Sequence, residues 1–346
     1  MLTDIFARRY ENVPMWQTFE EPSRRLIVQS FKLIEQIFPF YVGGKISTEN
    51  KPIWAYLHEA LATELGLKEL SKAAWGFYNP QNQWIGGINE VNAVCENWML
   101  LPFDGSTPAD RFIKERLSFL ELALRYREQM VAFRNSRLAD DIDQARQSDL
   151  TRQKFQGLVA PGSAVDGVKT RNELLNSTFQ REVGEINERF KQARYGLNYH
   201  NGFIQIANDE TVARVVETPF WKLIAGPKWK NVDQDMKQAI DLRDTKGRDP
   251  AFYAARALES CIKIISGEKS LSNGKERGAH NYIDNLKRGN VIEDWEAQTL
   301  KDFFTKVRNP LGHGPGEDEM PSLNNSQTDW AIENSMIWIK SLVGRT

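Results

Sequence analysis

Apolar positions along this chain recur mostly with the period of a helix. Ile27, Phe31, Ile34 and Phe38 follow one another at spacings of four, three and four, which marks a single apolar stripe. Thr18 with Glu21 three residues on reads as a capping box, Pro22 falls in the first turn, and Pro39 stops the helix. A second helix is predicted over about 52–65, with Leu57, Leu61 and Leu65 in line and Gly66 as its stop. A third opens at Thr107-Pro108 and runs to about Arg137. Its charges (Arg111, Lys114, Arg116, Arg125, Arg127, Arg134 and Arg137 against Glu115, Glu121 and Glu128) read as a solvated face with intrahelical pairs, or else as a surface for RNA or a partner. Between 156 and 170 the composition thins to Gly157, Pro161, Gly162, Ser163 and Gly167, the pattern of a mobile loop or linker. Helical spacing resumes with Leu175, Phe179, Val183, Ile186 and Phe190. Then comes the one clear hairpin signal, two β-prone runs over 195–199 and 203–207 around Asn201-Gly202. No other sheet of consequence is expected.

The last third predicts helices near 233–244, from Asp249-Pro250 to Gly267, and over about 279–288, 293–307 and 326–343. Several helices joined by short loops argue for an antiparallel bundle. No repeat of fixed period is visible. The expected fold is therefore mainly α: an N-terminal helical domain over 1–155, a connecting helix and β-hairpin region over 171–232, and a C-terminal antiparallel bundle over 233–346.

Composition narrows the function classes. With 346 residues, 41% of them hydrophobic and 26% charged, the chain is globular and long enough for about two domains. The 45 Lys+Arg and 46 Asp+Glu leave a net charge of −1, so any nucleic-acid contact must come from a local patch. Two cysteines, Cys95 and Cys261, are too few for a disulfide framework or a Cys-based zinc site. No apolar run reaches the roughly 18 residues of a membrane span, and charge sits where a signal peptide needs its apolar core. A soluble, cytoplasmic protein is expected. There is no phosphate-binding Gly-x4-Gly-Lys-Ser/Thr loop, no His-Glu-x2-His and no dinucleotide-binding glycine fingerprint, and His58, His200, His280 and His313 lack ligand spacing. The sequence calls for neither a cofactor nor a metal.

One segment carries candidate chemistry: Arg308-Asn309-Pro310-Leu311-Gly312-His313. A neutral imidazole can take a proton from a ribose 2′-hydroxyl or deliver one to a leaving oxygen. A guanidinium can hold the scissile phosphate and stabilise charge in the transition state, and a cation nearby favours the neutral imidazole. The spacing alone identifies little, because Arg194 and His200 repeat it on the predicted hairpin, where a turn or strand role explains them better. His280 reads as a helix-entry residue and His58 as half-buried structure. Pro310 biases Asn309 away from helix, which predicts that the motif lies on a loop.

In context, the segment resembles the Arg-Asn-x3-His signature of the HEPN superfamily, small helical bundles that include metal-independent RNases of toxin and antiviral systems. It falls between the penultimate and last long helices, as in that family. The upstream Ala-rich helix, with Glu259 and Lys263 one turn apart, resembles the family's Glu-x3-Lys helix. The stretch from about Ile186 to Gly267 resembles AbiJ-like abortive-infection proteins, in which a variable helical N-terminal domain precedes the HEPN module. The resemblance is specific over the last 160 residues or so and general before that.

What the resemblance implies is an endoribonuclease with Arg308, His313, Asn309 and Glu259 as its catalytic group and Lys263 as a substrate contact. Its partners would be RNA, a second copy of the chain in a homodimer, and a regulatory or neutralising protein. The cut would proceed by 2′-hydroxyl attack and leave a 2′,3′-cyclic phosphate. Glu259 and Lys263 are also well placed for an ordinary ion pair on one helix. Two other readings stand beside this one: a non-catalytic module binding RNA, a nucleotide or a protein, and an interaction protein built on the Arg-rich helix.

Overall fold

The computed structural model describes residues 4–156, 163–207, 210–312 and 322–346. It is mainly helical, and the chain divides into two compact units, Met1–Ile204 and Gln205–Thr346. Among the described residues no helix is long and apolar enough to cross a membrane.

The first unit runs α1 (Phe6–Arg9), α2 (Glu21–Ile37), β1 (Tyr41–Val42), β2 (Lys45–Ile46), α3 (Lys51–Leu65), β3 (Ala74–Tyr78), β4 (Trp84–Ile88), α4 (Val91–Met99), α5 (Ala109–Ser136), α6 (Leu138–Gln156), α7 (Ser163–Gln192) and β5 (Leu197–His200). The predicted stripe of α2 is buried, and Trp54 of α3 donates its indole N–H to the carbonyl of Phe38 at 2.8 Å. Gly66 closes α3 in the left-handed region at φ 71°, with Leu67 N–H returning to the carbonyl of Ala62. The expected capping box on α2 does not form. Glu20 holds the N-cap position in extended backbone, and Thr18 donates instead to the Glu20 carboxylate.

The largest departure is α5. Lys114, Arg116 and Glu121 are buried rather than on a solvated face. The helix is packed by α1, α2, α3 and α7, so most of its circumference is core. Each charge is compensated there. The Lys114 ammonium donates to the carbonyls of Tyr10 and Val13 and to Asp110. Arg116 is held between the rings of Phe112 and Trp98, and burial lowers its pKa to about 10.

The expected linker over 156–170 is also corrected. The chain is helical to Gln156 and again from Ser163, while 157–162 lie outside the described residues. The predicted hairpin is present, with Asn201 at φ 42° and Gly202 at φ 85° as the turn between β5 and β6 (Phe203–Ile206). Two further strand pairs were not expected, β1–β2 and the longer β3–β4. Alternation reveals a strand only when one of its faces is buried, and β3 is exposed at every residue.

The second unit runs α8 (Glu210–Val212), a π-helical turn (Ala213–Glu217), α9 (Thr218–Leu223), a short 3₁₀ turn, α10 (Lys230–Asp244), α11 (Pro250–Glu268), α12 (Ala279–Arg288), α13 (Asp294–Phe303), a second π-turn (Phe304–Arg308), α14 (Asn309–Gly312) and α15 (Asn325–Val343). Helix α11 is the axis of this bundle. Ala254, Ala255, Leu258, Cys261, Ile262 and Ile265 are fully buried against α10, α12, α15 and the second π-turn. Small side chains on α11 let its neighbours approach closely, while Ile332, Met336 and Ile339 fill the space from α15. α11 begins at Pro250 as expected, but Asp249 adopts the left-handed region at φ 57° and turns its carboxylate to Arg248 instead of capping. True capping boxes close α13 (Glu293 and Glu296) and α15 (Asn324 and Gln327).

Candidate catalytic site on the C-terminal bundle

The motif is helical up to Gly312, not looped as expected. Asn309 sits at φ −65° and ψ −44°, and its N–H returns five residues to the carbonyl of Phe304. That wider turn accommodates Pro310. A proline in a regular helix lacks one N–H and crowds the carbonyl four residues back, and a π-turn just before it relaxes both demands. Val307 and Leu311 are buried, anchoring the motif on either side of Pro310.

This geometry brings Arg308 onto α11. Its guanidinium donates through Nη2 to Glu259 Oε2 at 3.3 Å, and Lys263 Nζ meets the other carboxylate oxygen at 2.8 Å. Glu259 is thus bridged by two cations, one from its own helix and one from the motif. The Arg308 guanidinium also lies 5.6 Å from the ring of Phe252, and its Nε is buried without a hydrogen-bond partner among the described residues. Asn309 follows, half-buried, at the start of α14. His313 lies outside the described residues, so the structure joins Arg308, Glu259 and Lys263 and leaves the imidazole unplaced.

Three residues that sequence reasoning did not single out belong to the same face. Phe252, Arg256, Glu259 and Lys263 recur on α11 at spacings of four, three and four. Arg256 pairs with Asp235 of α10 at 2.5 Å and lies over the Tyr253 ring at 4.7 Å. The charges are layered. The side chains of Glu259 and Asp235 are 9% and 11% exposed, whereas those of Lys263 and Arg256 are 45% and 44% exposed. The carboxylates are inside and the cations outside, so the face offers positive charge to an approaching anion. A helical stripe of alternating sign, visible in the sequence from Arg256 to Lys263, was the available signal.

The remaining histidines fall elsewhere. His280, exposed near the start of α12, places Nε2 3.3 Å from Thr305 Oγ1 in the second π-turn. Because that hydroxyl donates to the carbonyl of Lys301, Nε2 is the donor to it. His58 accepts from the N–H of Leu70, and burial lowers its pKa, which suits a neutral structural acceptor. Arg194 takes φ 58° just past α7 and His200 is buried in β5, both explained by the path of the chain. Cys261 is pushed up to about 12 by burial and is no nucleophile. Among the described residues no group of three or more His, Cys, Asp or Glu side chains is placed to hold a metal ion.

A family model described as AbiJ N-terminal domain 4 matches residues 4–222, well over half of the chain. The matched span ends before α10, so the bundle that carries the site lies beyond it. No curated protein and no solved structure matches the chain.

Proposed function

The chain belongs to the AbiJ N-terminal domain 4 family, and from that premise we propose that it serves in abortive-infection defence as an endoribonuclease of the HEPN type. The observation that supports this reading is the layered face of α11, where Arg308 from the Arg-Asn-x3-His segment is held against Glu259 with cations directed outward.

In the proposed reaction the exposed cations draw in the RNA backbone, and Arg308 binds a non-bridging oxygen of the scissile phosphate. Glu259 is a positioning residue: its carboxylate fixes the guanidinium plane before substrate arrives. His313 removes the proton from the ribose 2′-hydroxyl, whose oxygen then forms a bond to phosphorus. The bond from phosphorus to the 5′-oxygen breaks, and that oxygen leaves with a proton. The products are a 2′,3′-cyclic phosphate and a 5′-hydroxyl. Asn309 and Lys263 hold the neighbouring nucleotides. Two copies of the bundle pair in this reading, so that each phosphate meets an arginine and a histidine from both chains. The first unit then selects the RNA or restrains the nuclease, alone or with a regulatory protein.

The test is RNA cleavage by the full chain and its His313→Ala form, with the 3′ ends of the products identified. The expected result is a cyclic phosphate from the wild type, a loss of about 10²–10⁴ in rate for the variant, and no cut at a 2′-deoxyribose. Chelators should leave the wild-type rate intact. Equal cleavage by the variant or of the deoxy substrate overturns the assignment. RNA binding without any cleavage moves the chain to the non-catalytic class.

A further inference from the structure

Strands β3 and β4 form a ribbon unlike anything else in the first unit. Five consecutive pairs, from Ala74 opposite Ile88 to Tyr78 opposite Trp84, run without a bulge. Trp75, Phe77, Tyr78, Trp84, Ile85 and Ile88 are all exposed, Ile88 to 82%. The rings are ordered across glycines. A Cβ on Gly76 would stand 2.1 Å from the Trp84 indole, and one on Gly87 would stand 3.2 Å from that of Trp75. Each tryptophan therefore lies flat on the opposite strand. Side chains arranged this way are presented, not left over from an incomplete core.

The edges are open as well. Asn79 N–H donates to Gln83, and Asn89 N–H donates to Ala73, which fixes the alternation of the ladder. The backbone groups of Trp84, Gly86 and Ile88 then point away from β3. Soluble proteins usually guard such an edge with lysine, proline or a bulge. Here no charged residue occurs from 73 to 89, and no proline lies in either strand.

We infer that the β4 edge pairs with β4 of a second copy of this chain, antiparallel about a two-fold axis at Gly86, forming one four-stranded ribbon. This goes beyond the proposed nuclease reading and does not depend on it. The neutrality of the segment selects the occupant. A nucleic-acid strand stacking on these rings would find no cation on the ribbon for its phosphates, whereas a two-fold pairing is penalised only by like charges, and none are present. The register is also self-complementary. Gly86 meets Gly86, and Trp84 meets Ile88 of the other copy as an aromatic–aliphatic pair. An isolated two-stranded ribbon is marginal in water, and four strands pass that limit. With about half of each ring exposed, the four aromatics offer roughly 450 Å² per copy. A standard interface uses about 800 Å² per partner. The association is accordingly weak and depends on concentration.

Light scattering of the full chain over about 1–100 μM, the regime of a small interface, tests this. Wild type should rise in mass by a factor of two across the series. Ile88→Lys should stay at the lower plateau, and Gln81→Lys, the same charge at the ribbon tip, should follow wild type. The measure is relative, so pairing through the bundle does not obscure it: that contact shifts both plateaux together. Circular dichroism checks that helix content is kept, and Ile88→Glu replaces the lysine variant if it is not. A wild-type mass that never changes, or an Ile88→Lys curve that overlays it, overturns the proposal. Sedimentation of wild type with phosphatidylcholine vesicles, or its retention on single-stranded RNA, lost in Ile88→Lys while the mass stays constant, would assign the ribbon to lipid or nucleic acid instead.

Discussion

Two buried glutamates divide this molecule into a part that is closed and a part that is not. Glu121, in the first unit, is fully buried and accepts from both Nη atoms of Arg9, from Arg125, and from the backbone N–H groups of Phe6 and Ile204. Three parts of the chain meet on one carboxylate, and its acceptor capacity is filled. Glu259, in the second unit, has the same residue type and nearly the same burial, but it is bridged only by Lys263 and Arg308. One of those cations is substantially exposed, and the other keeps an unused Nε. A saturated carboxylate acts as a clamp. One whose partners still have donors to offer can take part in binding, and that difference, not burial or charge, separates the candidate site from the core.

The comparison can be broken most directly at Glu121. Glu121→Ala should cost about 3–5 kcal/mol of stability, because Arg9 would be left buried and unpaired with two backbone donors unsatisfied. The denaturation midpoint of the purified protein measures this, and a shift below about 1 kcal/mol would show that the clamp is ornamental. Arg308→Ala should do the reverse. Cleavage should fall by about 10²–10³, while the midpoint stays within about 1 kcal/mol, since Lys263 still compensates Glu259. His280→Ala in parallel should leave cleavage near wild type, because its imidazole serves the π-turn through Thr305.

A third carboxylate sharpens the contrast at smaller scale. Glu296 closes the cap of α13 and accepts from both Nη atoms of Arg345, which holds its carboxyl below the usual glutamate range. A depressed folded pKa means that the stabilisation is complete above the unfolded value near 4.3 and fades as pH falls through the folded one. Thermal midpoints between about pH 5 and 2 should therefore decline more steeply for wild type than for Glu296→Gln. Parallel curves would show that the Arg345 contact is not maintained in solution.

How much of this was legible in the sequence depended on whether a pattern was local. The α2 stripe, the Gly66 stop, the Asn201-Gly202 turn and the order of helices in the bundle follow from spacings within a few residues, and the structure contains them. The buried charges of α5 were read as surface because a sequence shows charge but not the Tyr10 and Val13 carbonyls that receive Lys114 from about a hundred residues away. The β3–β4 ribbon escaped notice because neither of its faces is core. At the site, Glu259 and Lys263 were visible as a helical pair and Arg308 through its motif, but the link between Arg308 and Glu259 spans 49 positions. Arg256 and Asp235 carried no signal beyond a charged stripe. The family match also lies over the part where the resemblance was only general, so the bundle chemistry rests on its own geometry.

The π-turn at Phe304–Arg308 has a consequence for how this segment tolerates changes in length. A π-turn amounts to one residue inserted into a regular helix. Deleting a single residue there, Thr305 for example, would restore ordinary winding and swing everything after it by about 100°, the angle of one helical step. Arg308 would leave Glu259, and Val307 and Leu311 would leave the core together. Many sequences can satisfy the shape of this turn, but only one residue count can, so across related chains the segment should vary in composition far more freely than in length.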